Sequence, residues 1–168
     1  MNQTSPHLLQ PSSAADAPRP RKVAVIAASW HQGIVSAGTD AIQAEFQRRR
    51  LPPECLEFHS VPGAFEIPLF AMRLARTRRY DAIIACGLVV NGGIYRHEFV
   101  AAAVIDGLMR VQLDTDVPVF SSVLTPRDFH EHEEHLAFFR SHFVKKGAEV
   151  AQACLNTLSS LAAIPESA

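Results

Sequence analysis

Asp81-Ala-Ile-Ile-Ala-Cys-Gly-Leu-Val-Val-Asn-Gly-Gly-Ile-Tyr-Arg-His-Glu-Phe-Val100 reads as a strand, a tight turn and the start of a helix. From Ala82 to Val90 the run stays apolar instead of alternating with polar residues, the pattern of a strand covered on both faces. Gly92 and Gly93 let the backbone turn tightly where that strand ends. Arg96, His97 and Glu98 stand where the helix begins, so helix-start N–H groups lie beside side chains that steer charge and protons. Open α/β sheets place their ligands at this carboxyl edge. The segment predicts a site for a small anion.

The same alternation extends in both directions. Val23 to Ala28 is a short apolar strand, followed by a helix with Ile34, Val35, Gly38, Ala41, Ile42 and Phe46 on one face. Leu56 to Ser60 is the next strand and Phe65 to Ala75 the next helix. Past the opening stretch, a helix stacks Val100, Val104, Leu108 and Val111, and Val117 to Leu124 forms the fourth strand. Two helical segments close the chain, near Asp128 to Arg140 and from Lys145 to about Ala162. Strands apolar on both faces, alternating with amphipathic helices, predict a three-layer α/β/α sandwich. Its sheet is four-stranded and parallel, with flavodoxin-like topology.

The bulk properties bound the answer. A chain of 168 residues predicts one domain with a real core. Net charge of −1 argues against a nucleic-acid surface, and no apolar stretch is long enough to span a bilayer. Cys55, Cys86 and Cys154 are widely spaced and form no CxxC, so they read as free thiols in a reducing cytoplasm. Residues 1–21 carry Pro6, Pro11, Pro18 and Pro20 without apolar periodicity and read as a disordered arm. The domain is expected over residues 22–163, with a short tail at 164–168.

Chemistry-bearing residues gather in loops at the strand ends. The double glycine is neither a Walker A loop nor a dinucleotide fingerprint, which leaves phosphate held by backbone amides or a plain turn. Trp30 is the only tryptophan, and at a strand end it serves either packing or stacking on a flat heterocycle. His130-Glu-His-Glu-Glu-His135 lacks the HExxH spacing, so a solvated helix face competes with a metal site. Glu66 either complements a helix N-terminus or accepts hydrogen bonds from a polyol. No pairing suggests a covalent nucleophile. A receiver-like role is disfavoured because the first strand ends in Ala27-Ala-Ser29 and not in an acidic pair.

Val61-Pro-Gly-Ala-Phe-Glu-Ile-Pro68 resembles the signature of the lumazine synthase family. Gly87-Leu-Val-Val-Asn-Gly-Gly93 with Glu98-Phe-Val100 adds to it, as do Val117-Pro-Val119 with Val123-Leu-Thr125, and Lys146-Gly-Ala-Glu149. The elements run in order at family spacing. The resemblance implies condensation of 5-amino-6-(D-ribitylamino)uracil with 3,4-dihydroxy-2-butanone 4-phosphate, without metal or organic cofactor, mainly by positioning. It implies that Trp30 stacks on the pyrimidine and that Ala64, Phe65 and Glu66 bind the ribityl chain. Val89 and Val90 then meet the ring by backbone, and Gly92 and Gly93 approach phosphate.

Several positions depart from the family pattern. Arg96 occupies the place of the catalytic His, with His97 next to it, and Ile94 that of a phosphate-binding Thr. The family's phosphate Arg falls on His135, and Ser121 replaces an aromatic residue contributed by a neighbouring subunit. A longer segment, Leu136 to Val144, precedes Lys145. Arg stays charged and makes a poor base. One helical residue is a rotation of about 100°, so His97 substitutes for the missing His only if the turn shifts. The expectation is that Arg96 supplies fixed charge while His97 or His135 handles protons. The pattern resembles the divergent second type of the family, whose members look like decamers, two pentamers face to face, so self-association as a pentamer or dimer of pentamers is expected. A weakly active lumazine- or flavin-binding carrier is the alternative.

Overall fold

The computed structural model describes residues 21–94 and 96–165. The expected arm (save Arg21) and the tail beyond Pro165 lie outside the described residues. Strands β1 (Val23–Ala28), β2 (Leu56–Val61), β3 (Ala82–Leu88) and β4 (Val119–Leu124) form one parallel sheet in the order β2-β1-β3-β4. Helices α1 (Gln32–Arg48) and α4 (Glu133–Ala162) cover one face; α2 (Ile67–Arg76) and α3 (His97–Thr115) cover the other. The result is the three-layer sandwich with flavodoxin-like strand order.

Burial follows the patterning. Every residue of β3 is buried, as a central parallel strand between two helical layers requires. Its even-numbered side chains, Ala82, Ile84, Cys86 and Leu88, join the α1/α4 core, while Ile83 and Ala85 join the α2/α3 core. That two-sided demand explains a run with no polar residue. Burial also pushes the Cys86 thiol up to about 12, so it is inert as a nucleophile. All three cysteines are free and buried.

The closing segment departs from expectation. Asp128 to Glu131 is not helical, and one continuous helix of 30 residues replaces the two anticipated. Gly147, inside the second anticipated helix, lies at the crossing of this helix with α1. A Cβ there would stand 2.2 Å from the Gly38 carbonyl oxygen, and one on Gly38 would meet the Phe143 ring at 2.9 Å. The glycine is a contact point between backbones. Phe143, fully buried beside it, closes the gap.

Candidate active site

Loops from β1 and β2 are zipped together at the carboxyl edge. Ser29 N–H donates to the Val61 carbonyl at 2.8 Å and Trp30 N–H to the Pro62 carbonyl at 3.0 Å. This pairing lays the Trp30 ring over Gly63, where a Cβ would come within 2.7 Å of the indole. Gly63 is therefore the bare backbone on which Trp30 rests. Gly63 N–H in turn donates to Glu66 Oε2 at 2.9 Å, so Glu66 ties the loop at the entry to α2. That is the helix-start role anticipated for it.

Beside this platform is a cavity of about 310 Å³. Trp30 and His31 enter from the β1 end, Ala64 and Phe65 from the β2 loop, and Leu88, Val89 and Val90 from the end of β3. Gly92 and Ile94 supply the turn, and His97 and Val100 the first turn of α3. The lining is mainly apolar with a few polar groups, as small-molecule sites are. Trp30 and Phe65 are 65% and 61% exposed, too open for core packing to explain them. Val89 N–H is already engaged by the Leu124 carbonyl at 2.9 Å.

The turn after β3 has its own geometry. Asn91 Oδ1 accepts the Gly93 N–H at 3.1 Å, and Gly93 has φ +76°, a left-handed conformation that favours glycine. Among the described residues, and apart from chain neighbours, no atom lies within 4 Å of where a Cβ would project from Gly92 or Gly93. A second hollow adjoins the cavity here, lined by Asn91, Gly93, Ile94, Arg96, His97 and Glu98.

Arg96 and His97 relate differently to the two hollows. Arg96 is the N-cap of α3, with extended backbone (φ −74°, ψ 93°), so it stands outside the helix and the 100° helical rotation does not relate it to His97. His97 lines the main cavity and Arg96 only the adjoining one. His97 Nδ1 lies 3.5 Å from Glu98 Oε2. Arg96 sets a cation at the positive end of a helix, where about 0.3–1 kcal/mol opposes it. Its guanidinium carbon lies 4.5 Å from the Phe99 ring centroid, a contact worth about 0.5–1 kcal/mol when exposed. The guanidinium and the helix start border one hollow, together with the Glu98 carboxylate, and are groups of the kind that can hold an anion.

His135 is placed elsewhere. It lies in an aromatic cluster at the start of α4, and its Nδ1 accepts the His130 backbone N–H at 2.9 Å. Its ring stacks on His130 with centroids 5.6 Å apart and meets Phe129 at 6.1 Å. Among the described residues, no three His, Cys, Asp or Glu converge to hold a metal. Ser121 lies on β4, in a separate hollow of about 250 Å³ with Phe120, Ser122, Lys146 and Glu149. The Ser122 hydroxyl there is buried with no hydrogen-bond partner among the described residues.

Sequence reasoning missed His31. It sits in the left-handed region (φ 57°) just before α1, lines the cavity, and packs edge-on against Phe129 at 5.4 Å. Its only sequence signal is adjacency to Trp30 at a strand end.

The sequence pattern of the 6,7-dimethyl-8-ribityllumazine synthase family matches residues 20–162. A Rhodococcus erythropolis protein of that name is 60% identical over 147 residues, covering 88% of this chain and 95% of the relative. A Bradyrhizobium diazoefficiens relative named 6,7-dimethyl-8-ribityllumazine synthase 2 is 57% identical, covering 85% of this chain and 86% of its own. Its namesake from Pseudomonas syringae pv. tomato is 51% identical, covering 82% and 81%. A match along nearly the whole folded region, on the fold and edge cavity described above, leaves one assignment: this chain belongs to the 6,7-dimethyl-8-ribityllumazine synthase family.

Proposed function

We propose that this chain is a transferase of riboflavin biosynthesis. It condenses 5-amino-6-(D-ribitylamino)uracil with 3,4-dihydroxy-2-butanone 4-phosphate to give 6,7-dimethyl-8-ribityllumazine, phosphate and water. The observation that carries the reading is the edge cavity, where exposed Trp30 and Phe65 face His97 beside an anion hollow. An aromatic wall suits a flat pyrimidine, and a neighbouring cationic turn suits a phosphate ester.

The family resemblance suggests the roles, and the placement of most of these residues around the two hollows supports them. Trp30 stacks on the pyrimidine, with Val89 and Val90 at its edge. Ala64, Phe65 and Glu66 hold the ribityl chain, Glu66 with the carboxylate capacity left after its bond to Gly63. Gly92, Gly93 and Ile94 border the phosphate, and Arg96 supplies the fixed charge that stabilises it as it departs. His97 moves the protons of imine formation and ring closure. Its position in the cavity supports it over His135, whose Nδ1 is already occupied. Most of the rate comes from holding amine and ketone together, which needs no activated nucleophile.

Self-association as a pentamer or a dimer of pentamers belongs to the same reading. Ser121 lies in a different hollow from Trp30, so a pyrimidine contact from it serves a neighbouring copy. α3 also leaves Ile105, Met109 and Leu113 exposed along one stripe. Free, buried cysteines suit a cytoplasmic setting.

Incubating the purified protein with both substrates and following lumazine absorbance tests the reaction. Product above the uncatalysed background is expected. Tight lumazine binding with no product above background would overturn it in favour of a carrier.

A further inference from the structure

We propose that Phe99 is a positioning residue whose ring holds the Arg96 guanidinium beside the Asn91–Ile94 turn as a preset positive charge for the phosphate substrate. The inference rests on the reading of Arg96 given above. Arg96 and Phe99 are three residues apart, and Phe99 N–H donates to the Arg96 carbonyl at 3.0 Å. That bond closes the first turn of α3 onto its N-cap. The guanidinium carbon lies 4.5 Å from the ring centroid.

The choice of holder matters chemically. A carboxylate partner would restrain the arginine and also cancel its charge. An aromatic face restrains it and leaves the charge whole. Glu98, the acid closest in sequence, reaches His97 instead, and among the described residues no acid pairs with Arg96. Phe99 is itself 63% exposed, so core packing does not account for a phenylalanine there. An unrestrained arginine would lose side-chain freedom on meeting phosphate, which weakens binding.

The test is a double-mutant cycle on Arg96 and Phe99, read as KM and kcat for the phosphate substrate and as competitive inhibition by inorganic phosphate. Assembly size and circular dichroism are checked for each variant. Phe99→Leu should raise both KM and the phosphate inhibition constant by about two- to fivefold, the fold-change equivalent of an exposed cation–π contact, with kcat nearly unchanged. Phe99→Tyr, which keeps the ring face, should restore both. In an Arg96→Ala background, Phe99→Leu should add nothing.

An equal penalty from Phe99→Leu with and without Arg96 overturns the coupling, as does an unchanged KM. If Arg96→Ala alone leaves KM and phosphate inhibition intact, the reading of Arg96 as the phosphate-side cation fails first. The two failures are therefore distinct.

Discussion

At the scale of single residues, chemistry is divided by a helix boundary. Arg96 lies just outside α3 and His97 just inside it, and of the two only His97 reaches the main cavity while both line the adjoining hollow. Replacing His97 with Asn should lower kcat about 100-fold or more while KM for either substrate moves little, the usual loss when a proton-transfer group is removed. His135→Ala should leave kcat within about twofold, because that ring is committed to the His130 backbone and lies outside the cavity. Steady-state kinetics on the two variants checks both, and a reversed order would exchange their roles. Trp30→Ala should raise KM for the pyrimidine about two- to tenfold and leave KM for the phosphate substrate unchanged. The Arg-His-Glu run was legible as chemistry. Which member enters the cavity was not, since it depends on where the first helical residue falls.

At the scale of elements, α1 and α4 meet backbone to backbone. The Gly38–Gly147 contact has no room for a methyl group, so Gly147→Ala should destabilise by about 1–3 kcal/mol despite its better helix propensity. Denaturant unfolding checks this; a stabilised variant would mean that the two helices separate freely. Glu45, buried on α1, receives hydrogen bonds from Arg48 and Arg49, which hold its carboxyl down at about 2. Its folded value is depressed below the ordinary ~4.3, so its stabilisation is full above that pH and is lost as pH falls through about 2. Thermal unfolding across pH should show wild type above Glu45→Gln at neutrality, the gap closing toward pH 2. The strands and helices themselves were readable because apolar period reports burial. The continuity of α4 was not, because Ser141 to Val144 are weak helix formers and Phe143 among them is buried against α1, a contact no local pattern shows.

At the scale of the whole molecule, parts of one proposed site lie in separate hollows of the chain. Trp30 and His97 line one; Ser121, Ser122 and Lys146 line another. If a neighbour's β4 hollow completes each site, subunits carrying His97→Asn and subunits carrying Ser121→Arg should each be nearly inactive alone. Refolded together, they should recover activity at mixed interfaces that unite two intact halves. Native mass measurement of the mixture confirms co-assembly, and recovery absent from a co-assembled mixture would place both hollows in separate roles.

Sequence by itself determined the layered α/β fold and the edge that carries the site, because burial on two faces and turn chemistry are written in consecutive residues. It also determined the identity of most groups at that edge, from Trp30 to Gly93. Only the tertiary structure decided that His31 joins them, that His135 does not, and that Arg96 leans on Phe99 at the start of α3. Those facts depend on distances between segments far apart in the chain and on the residue at which a helix begins, and neither has a local signature.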